Sequence, residues 1–135
     1  MTPSLLVDTD ILIDVARGND FALQFMNRAA QQGALAISIV TEMELIVGCR
    51  NRRELKSMNT FLKRFSVIPL TPEISTLASN LLRTYRLSHG LLIADALIAA
   101  TALVLKLRFA SKNQKDFRFI DGLMLIAFVC DSNPE

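Results

Sequence analysis

The sequence predicts an α/β protein with a central, mostly parallel sheet of about five strands flanked by helices. Three observations carry this. Short apolar runs of strand length alternate with longer segments of helical pattern. The strand candidates are apolar throughout, as strands covered on both faces are. No Pro-, Gly- or Ser-rich linker or internal repeat divides the 135 residues, so one domain over residues 1–135 is expected.

Taken in order, residues 4–7 form a short buried strand that ends in Asp8-Thr9-Asp10. Residues 11–17 suit a short helix stopped by Gly18-Asn19, and Asp20 is placed to cap a helix to about residue 32, with Gly33 as its C-cap. Residues 34–39 read as a second strand, after which Thr41 caps a helix to about residue 49. A strongly basic helix over 50–64 and a third strand over 66–70 follow. Thr71-Pro72 pairs an N-cap with Pro at the first helical position and opens a helix to about residue 86. His89-Gly90 is a break. Residues 92–107 form a very apolar helix, 109–111 a fourth strand, 113–116 a turn and 123–129 a fifth strand.

Composition narrows the class. With 51% hydrophobic and 21% charged residues the chain has the makings of a packed core. Its net charge of +2 does not by itself mark a nucleic-acid binder. The two cysteines, Cys49 and Cys130, are too few for a disulfide scaffold and read as reduced thiols. No basic leader precedes the first apolar run. The longest apolar stretch, residues 91–105, falls short of the roughly 20 residues a membrane span needs and contains Asp95. A soluble, cytoplasmic protein with no membrane association is expected.

In parallel sheets ligands bind beyond the carboxyl ends of the strands. Asp8, Glu44 and Asp116 follow the first, second and fourth strand candidates. Each has a local explanation of its own: Asp8 as a helix cap, Glu44 as partner of Thr41 in a Thr-x-x-Glu capping box, Asp116 as a turn residue. Glu42 competes with Glu44 but points elsewhere on the helix. Asp10 and Asp14, at i and i+4, share a helical face and read as solvated or secondary. Asp95 is the sharpest signal, being the only charged residue in the run 91–105. A helix dipole, worth about 0.3–1 kcal/mol, does not compensate the several kcal/mol of burying a carboxylate. Either a distant base or a metal must pair with it. One histidine and two distant cysteines make no zinc pattern, whereas carboxylates suit Mg²⁺ or Mn²⁺. Such an ion activates water and offsets charge on a phosphate.

Four segments carry a resemblance: Leu6-Val-Asp8-Thr-Asp-Ile-Leu-Ile13; Ser38-Ile-Val-Thr41-Glu-Met-Glu44-Leu-Ile-Val-Gly48; Ile93-Ala-Asp95-Ala-Leu-Ile-Ala-Ala-Thr101; and Ser111-Lys-Asn113-Gln-Lys-Asp116-Phe117. In this order and spacing the chain resembles the PIN domain, and within it the VapC-like toxins of bacterial toxin–antitoxin pairs. The resemblance implies a PIN-like three-layer sandwich and a Mg²⁺- or Mn²⁺-dependent endoribonuclease directed at single strands. It implies a catalytic quartet of Asp8, Glu44, Asp95 and Asp116, with Asp8 and Asp95 as metal ligands and Thr9 and Asn113 in support. It also implies a homodimer and a cognate antitoxin. Two positions depart from the pattern: Asp10 stands where Ser or Asn is common, and Ser111 where Thr is common.

Basic residues fall into two groups: Arg50, Arg52, Arg53, Lys56, Lys63 and Arg64, and a second of Lys106, Arg108, Lys112, Lys115 and Arg118 flanking Asp116. The first reads as a solvated helix face. In the second, Lys112, Lys115 and Arg118 are candidates for RNA phosphates. One Tyr and no Trp argue against recognition by base stacking. Two alternatives stand beside the nuclease: a non-catalytic PIN-like RNA- or protein-binding module, and a haloacid-dehalogenase-type phosphohydrolase suggested by Asp8-Thr9-Asp10. The phosphohydrolase lacks its placed Lys and later acidic pair, and Leu12 stands where Thr or Val is expected.

Overall fold

The computed structural model describes residues 2–128. The elements run β1 (Pro3–Val7), α1 (Thr9–Ala16), α2 (Asp20–Gln32), β2 (Ala34–Ser38), α3 (Ile39–Val47), α4 (Arg52–Leu62), β3 (Ser66–Ile68), α5 (Pro72–His89), α6 (Ile93–Leu105), β4 (Arg108–Ala110), a 3-10 turn (Gln114–Asp116) and β5 (Leu125–Ile126). The five strands form one sheet in the order β3-β2-β1-β4-β5. Every pairing is parallel.

Strand alternation divides the core between the two faces. Leu5 and Val7 of β1, Leu35 and Ile37 of β2 and Ala110 of β4 meet Ile11, Leu12, Met26 and Leu45 from α1, α2 and α3. Leu6, Ala36 and Phe109 point the other way, onto Ile74, Ala78 and Leu81 of α5 and the Ala-rich surface of α6. The sheet is thus the middle of three layers. Helix α6 is apolar on nearly every side, as a helix enclosed by its neighbours must be. No helix among the described residues is long and apolar enough to cross a membrane.

Several boundaries differ from the sequence reading, for local reasons. Strand β2 stops at Ser38, whose hydroxyl accepts the Val40 N–H at 3.0 Å and caps α3. The helix therefore starts before Thr41, and Thr41 lies buried inside its first turns instead of capping it. Asn19, not Asp20, caps α2, accepting from Ala22 N–H at 2.9 Å. Strand β3 ends at Ile68, because Pro69 has no N–H to continue a ladder. Thr71 caps α5 as expected, accepting from Ile74 N–H at 3.2 Å, and the helix continues to His89 before Gly90 ends it at φ 72°. The left-handed Lys106, at φ 56°, closes α6 earlier than expected and turns the chain into β4. Of the fifth strand expected over 123–129, Leu125–Ile126 pair in the sheet. Residue 129 and Cys130 lie outside the described residues. Cys49 is a free, half-buried thiol.

Candidate active site

Strands β2, β1 and β4 lie side by side, and Asp8, Glu44 and Asp116 follow their carboxyl ends in sequence. Asp8 directly follows β1, where its N–H donates to Ala110 O of β4 at 2.9 Å. Its carboxylate is 5% exposed. Oδ1 accepts the Thr9 N–H at 2.8 Å and caps α1, while Oδ2 accepts from the Ser111 hydroxyl at 2.7 Å. Capping and site membership are therefore both properties of this one side chain.

Glu44 rises from the middle of α3 and is tied back to α1. The Thr9 hydroxyl lies 2.6 Å from Glu44 Oε1 and 2.9 Å from the Thr41 hydroxyl. With a single proton, Thr9 donates to the carboxylate, and the Thr41 hydroxyl supplies the proton between the two threonines. The Thr41-x-x-Glu44 spacing serves this triad and not a capping box.

Asp95 sits in the first turn of α6, a position the helix dipole favours. Burial nonetheless pushes its carboxyl from 3.8 up to about 6, helped by the charges of Asp116, Glu44 and Asp10. Asp8 is pushed up to about 7, first by burial and then by Asp10 and Asp95, against the bonds from Ser111 and Thr9. Asp95 thus lies within electrostatic reach of Asp116, Glu44 and Asp10, and Asp8 within reach of Asp10 and Asp95. Among the described residues no Lys, Arg or His forms an ion pair with Asp95. The distant base that could have neutralised it is absent there.

Asp10, which the sequence reading left as secondary, belongs to the same centre. Its Oδ2 accepts from Lys112 N–H at 3.1 Å and Asn113 N–H at 3.2 Å, with the Ser111 hydroxyl, whose one proton goes to Asp8, 3.3 Å away. Oδ1 is buried with no partner. Burial raises this carboxyl also, opposed by those hydrogen bonds. Asp14, one turn further along α1, pairs with Lys112 Nζ at 2.5 Å. Lys112 is thus engaged by α1 on both its backbone and its side chain. Asn113 enters the site through its backbone. Lys115 and Arg118 are exposed and, among the described residues, in no ion pair. In the other basic group, Arg50 forms a two-pronged contact with Glu54.

An α/β sandwich with acids gathered beyond adjacent parallel strands defines a class, and sequence comparison identifies it. The PIN domain model matches residues 5–123, and the chain belongs to the PIN domain family. Ribonuclease VapC10 of Mycobacterium tuberculosis is 39% identical over 120 residues, 88% of this chain and 90% of that protein. Ribonuclease VapC1 of Methanocaldococcus jannaschii is 32% identical over 115 residues, 84% and 78% of the two chains. In structure, a chain of a toxin–antitoxin complex from Klebsiella pneumoniae superposes with a TM-score of 0.78 at 32% identity, covering 93% of this chain and 98% of its own.

Proposed function

We propose that this protein is a divalent-metal-dependent endoribonuclease, acting in the cytoplasm as the toxin of a toxin–antitoxin pair. The observation that supports the reading is Asp95, set near Asp116, Glu44 and Asp10 and felt by Asp8, with two carboxyls raised well above their ordinary range and, among the described residues, no ion pair to Asp95. The names of the two ribonuclease relatives supply the reaction class.

The residues fit a hard divalent cation. All the donors are oxygens, and the buried, partnerless Asp10 Oδ1 marks where positive charge is missing. Among the described residues no three acids are already set around a single ion. Mg²⁺ or Mn²⁺ keeps several waters and takes one or two carboxylates. Asp8 and Asp95 would hold it, and its chemistry there is to acidify a water and to offset charge on a phosphate. Glu44, aimed by Thr9, and Asp116 are the acids left to orient water and carry its proton. Lys115 and Arg118, exposed beside Asp116, hold the phosphates of a single-stranded RNA.

The toxin role comes from the structural relative, which is a toxin–antitoxin complex. A groove of about 860 Å³ suits an antitoxin segment: Ile13, Leu45, Met58 and Phe61 line it, Arg53 and Arg64 flank it, and it reaches Glu44. Exposed Leu87, Leu92 and Ile93, about α5 and α6, suit a homodimer contact.

The test is cleavage of single-stranded RNA by purified, antitoxin-free protein with Mg²⁺ or Mn²⁺ and with EDTA, beside Asp95→Asn. Metal-dependent cutting that the variant lacks is expected. RNA binding without cutting under either metal would favour the non-catalytic module, and release of phosphate from small esters the phosphohydrolase.

A further inference from the structure

The geometry points to Asp10 as a positioning residue: its Oδ2 holds the segment Ser111–Asn113 in place and thereby sets Asp116. This rests on the nuclease reading for its effect on catalysis, though not for its effect on the loop. Two consecutive backbone donors converge on this one oxygen: Lys112 N–H at 3.1 Å and Asn113 N–H at 3.2 Å, the latter shared with Ser111 Oγ at 3.0 Å. Asn113 then passes the restraint on, since its carbonyl accepts the Asp116 N–H at 3.1 Å. From the far side, Gln114 Nε2 donates to Ser111 O at 2.8 Å and Ile126 O at 3.2 Å. Phe117 seals the turn from below, edge-on to Phe109 at 4.8 Å.

A surface loop needs such ties to hold a catalytic group to the tolerance chemistry requires. The Ser111 hydroxyl itself donates to Asp8 Oδ2 at 2.7 Å and accepts from Asn113 N–H at 3.0 Å. Asp10 alone among the acids accepts backbone N–H groups of this segment. A carboxylate does this better than a shorter Ser side chain would, because hydrogen bonds to a charged acceptor are about twice as strong as neutral ones. An Asn oxygen can accept from the same donors, and its amide nitrogen would then stand where the partnerless Oδ1 now lies.

The experiment compares Asp10→Ala and Asp10→Asn by amide hydrogen exchange in metal-free protein and by single-stranded RNA cleavage with Mn²⁺. In Asp10→Ala the Lys112 amide should lose about tenfold or more of its protection, and the Asn113 amide, which also has Ser111 Oγ as acceptor, less. Its kcat should fall on the order of 10²-fold with KM little changed, as for a displaced catalytic group. Asp10→Asn should keep the protection, and its kcat should exceed that of Asp10→Ala. Retained protection in Asp10→Ala would overturn the proposal. So would an Asp10→Asn enzyme with intact protection and the activity of Asp10→Ala, since the charge and not the tie would then matter. If wild-type protein cleaves no RNA, the nuclease reading falls, while the exchange result still decides the positioning role.

Discussion

Thr9 Oγ1 and Glu44 Oε1 stand 2.6 Å apart, joining the first residue of α1 to the middle of α3. No other hydrogen bond of Glu44's side chain is found among the described residues, so this contact sets the carboxylate's direction. Thr9→Val removes the donor while keeping the shape. The expected result is about a tenfold loss of kcat, with no more than about 1 kcal/mol of stability lost because the contact is solvent-facing. Thr9→Ser should restore most of the rate in the same cleavage assay.

Asp95→Asn separates function from fold. Removing the carboxylate should reduce cleavage on the order of 10³-fold, the several kcal/mol a placed cation supplies to a phosphate reaction. The metal-free protein should unfold at the same or higher urea concentration, because a carboxyl crowded by Asp116, Glu44 and Asp10 is gone. A variant less stable than wild type without metal would assign Asp95 a structural partner instead.

Stability without metal should fall as pH rises. The Asp8 carboxyl titrates at about 7 in the folded protein and 3.8 unfolded. Between these values the folded state holds a proton that the unfolded chain has released, so its advantage is full below about pH 4 and is lost by about pH 7. Asp95, raised to about 6, adds in the same direction but less, being half open to solvent. Urea unfolding of EDTA-treated protein should show a decline on the order of 1–3 kcal/mol from pH 4.5 to 7.5. Mn²⁺ should reverse it. A flat curve would return Asp8 to the ordinary carboxylate range.

Lys115→Ala and Arg118→Ala should each weaken single-stranded RNA binding and lower the slope of log K against log salt by about 0.7. Lys112→Ala should change it less, because Asp14 already holds that ammonium. Asp14→Asn frees it, and the slope should then steepen by a similar step. Binding would be measured with metal omitted, so that cleavage does not intervene.

The parts legible in the sequence were those with local causes. Apolar strand runs gave the layers, Thr71-Pro72 the start of α5, and the isolated charge of Asp95 marked a carboxyl that burial perturbs. Thr41 was misread because Ile39-Val40 looks like more strand, and only the fold shows that Ser38 has already capped the helix. Asp10 and Asp14 looked solvated because their partners, Lys112 and Asn113, lie about a hundred residues away, beyond any local spacing. Ser111 was marked only as standing where Thr is common, yet among the described residues it bonds the most buried of the acids.

The sheet order has a consequence for how the enzyme comes into being. Strand β1 is the first made and lies at the centre, but its neighbour β4 is delivered late, and the Asp8–Ser111 bond spans 103 residues. A nascent chain stopped before Arg108 has one bare edge on β1, no hydroxyl for Asp8 and no Asp116. Non-local pairings of this kind form slowly and only once both halves are present. In a chain so wired, Asp8 gains its Ser111 partner only after most of the protein has been made.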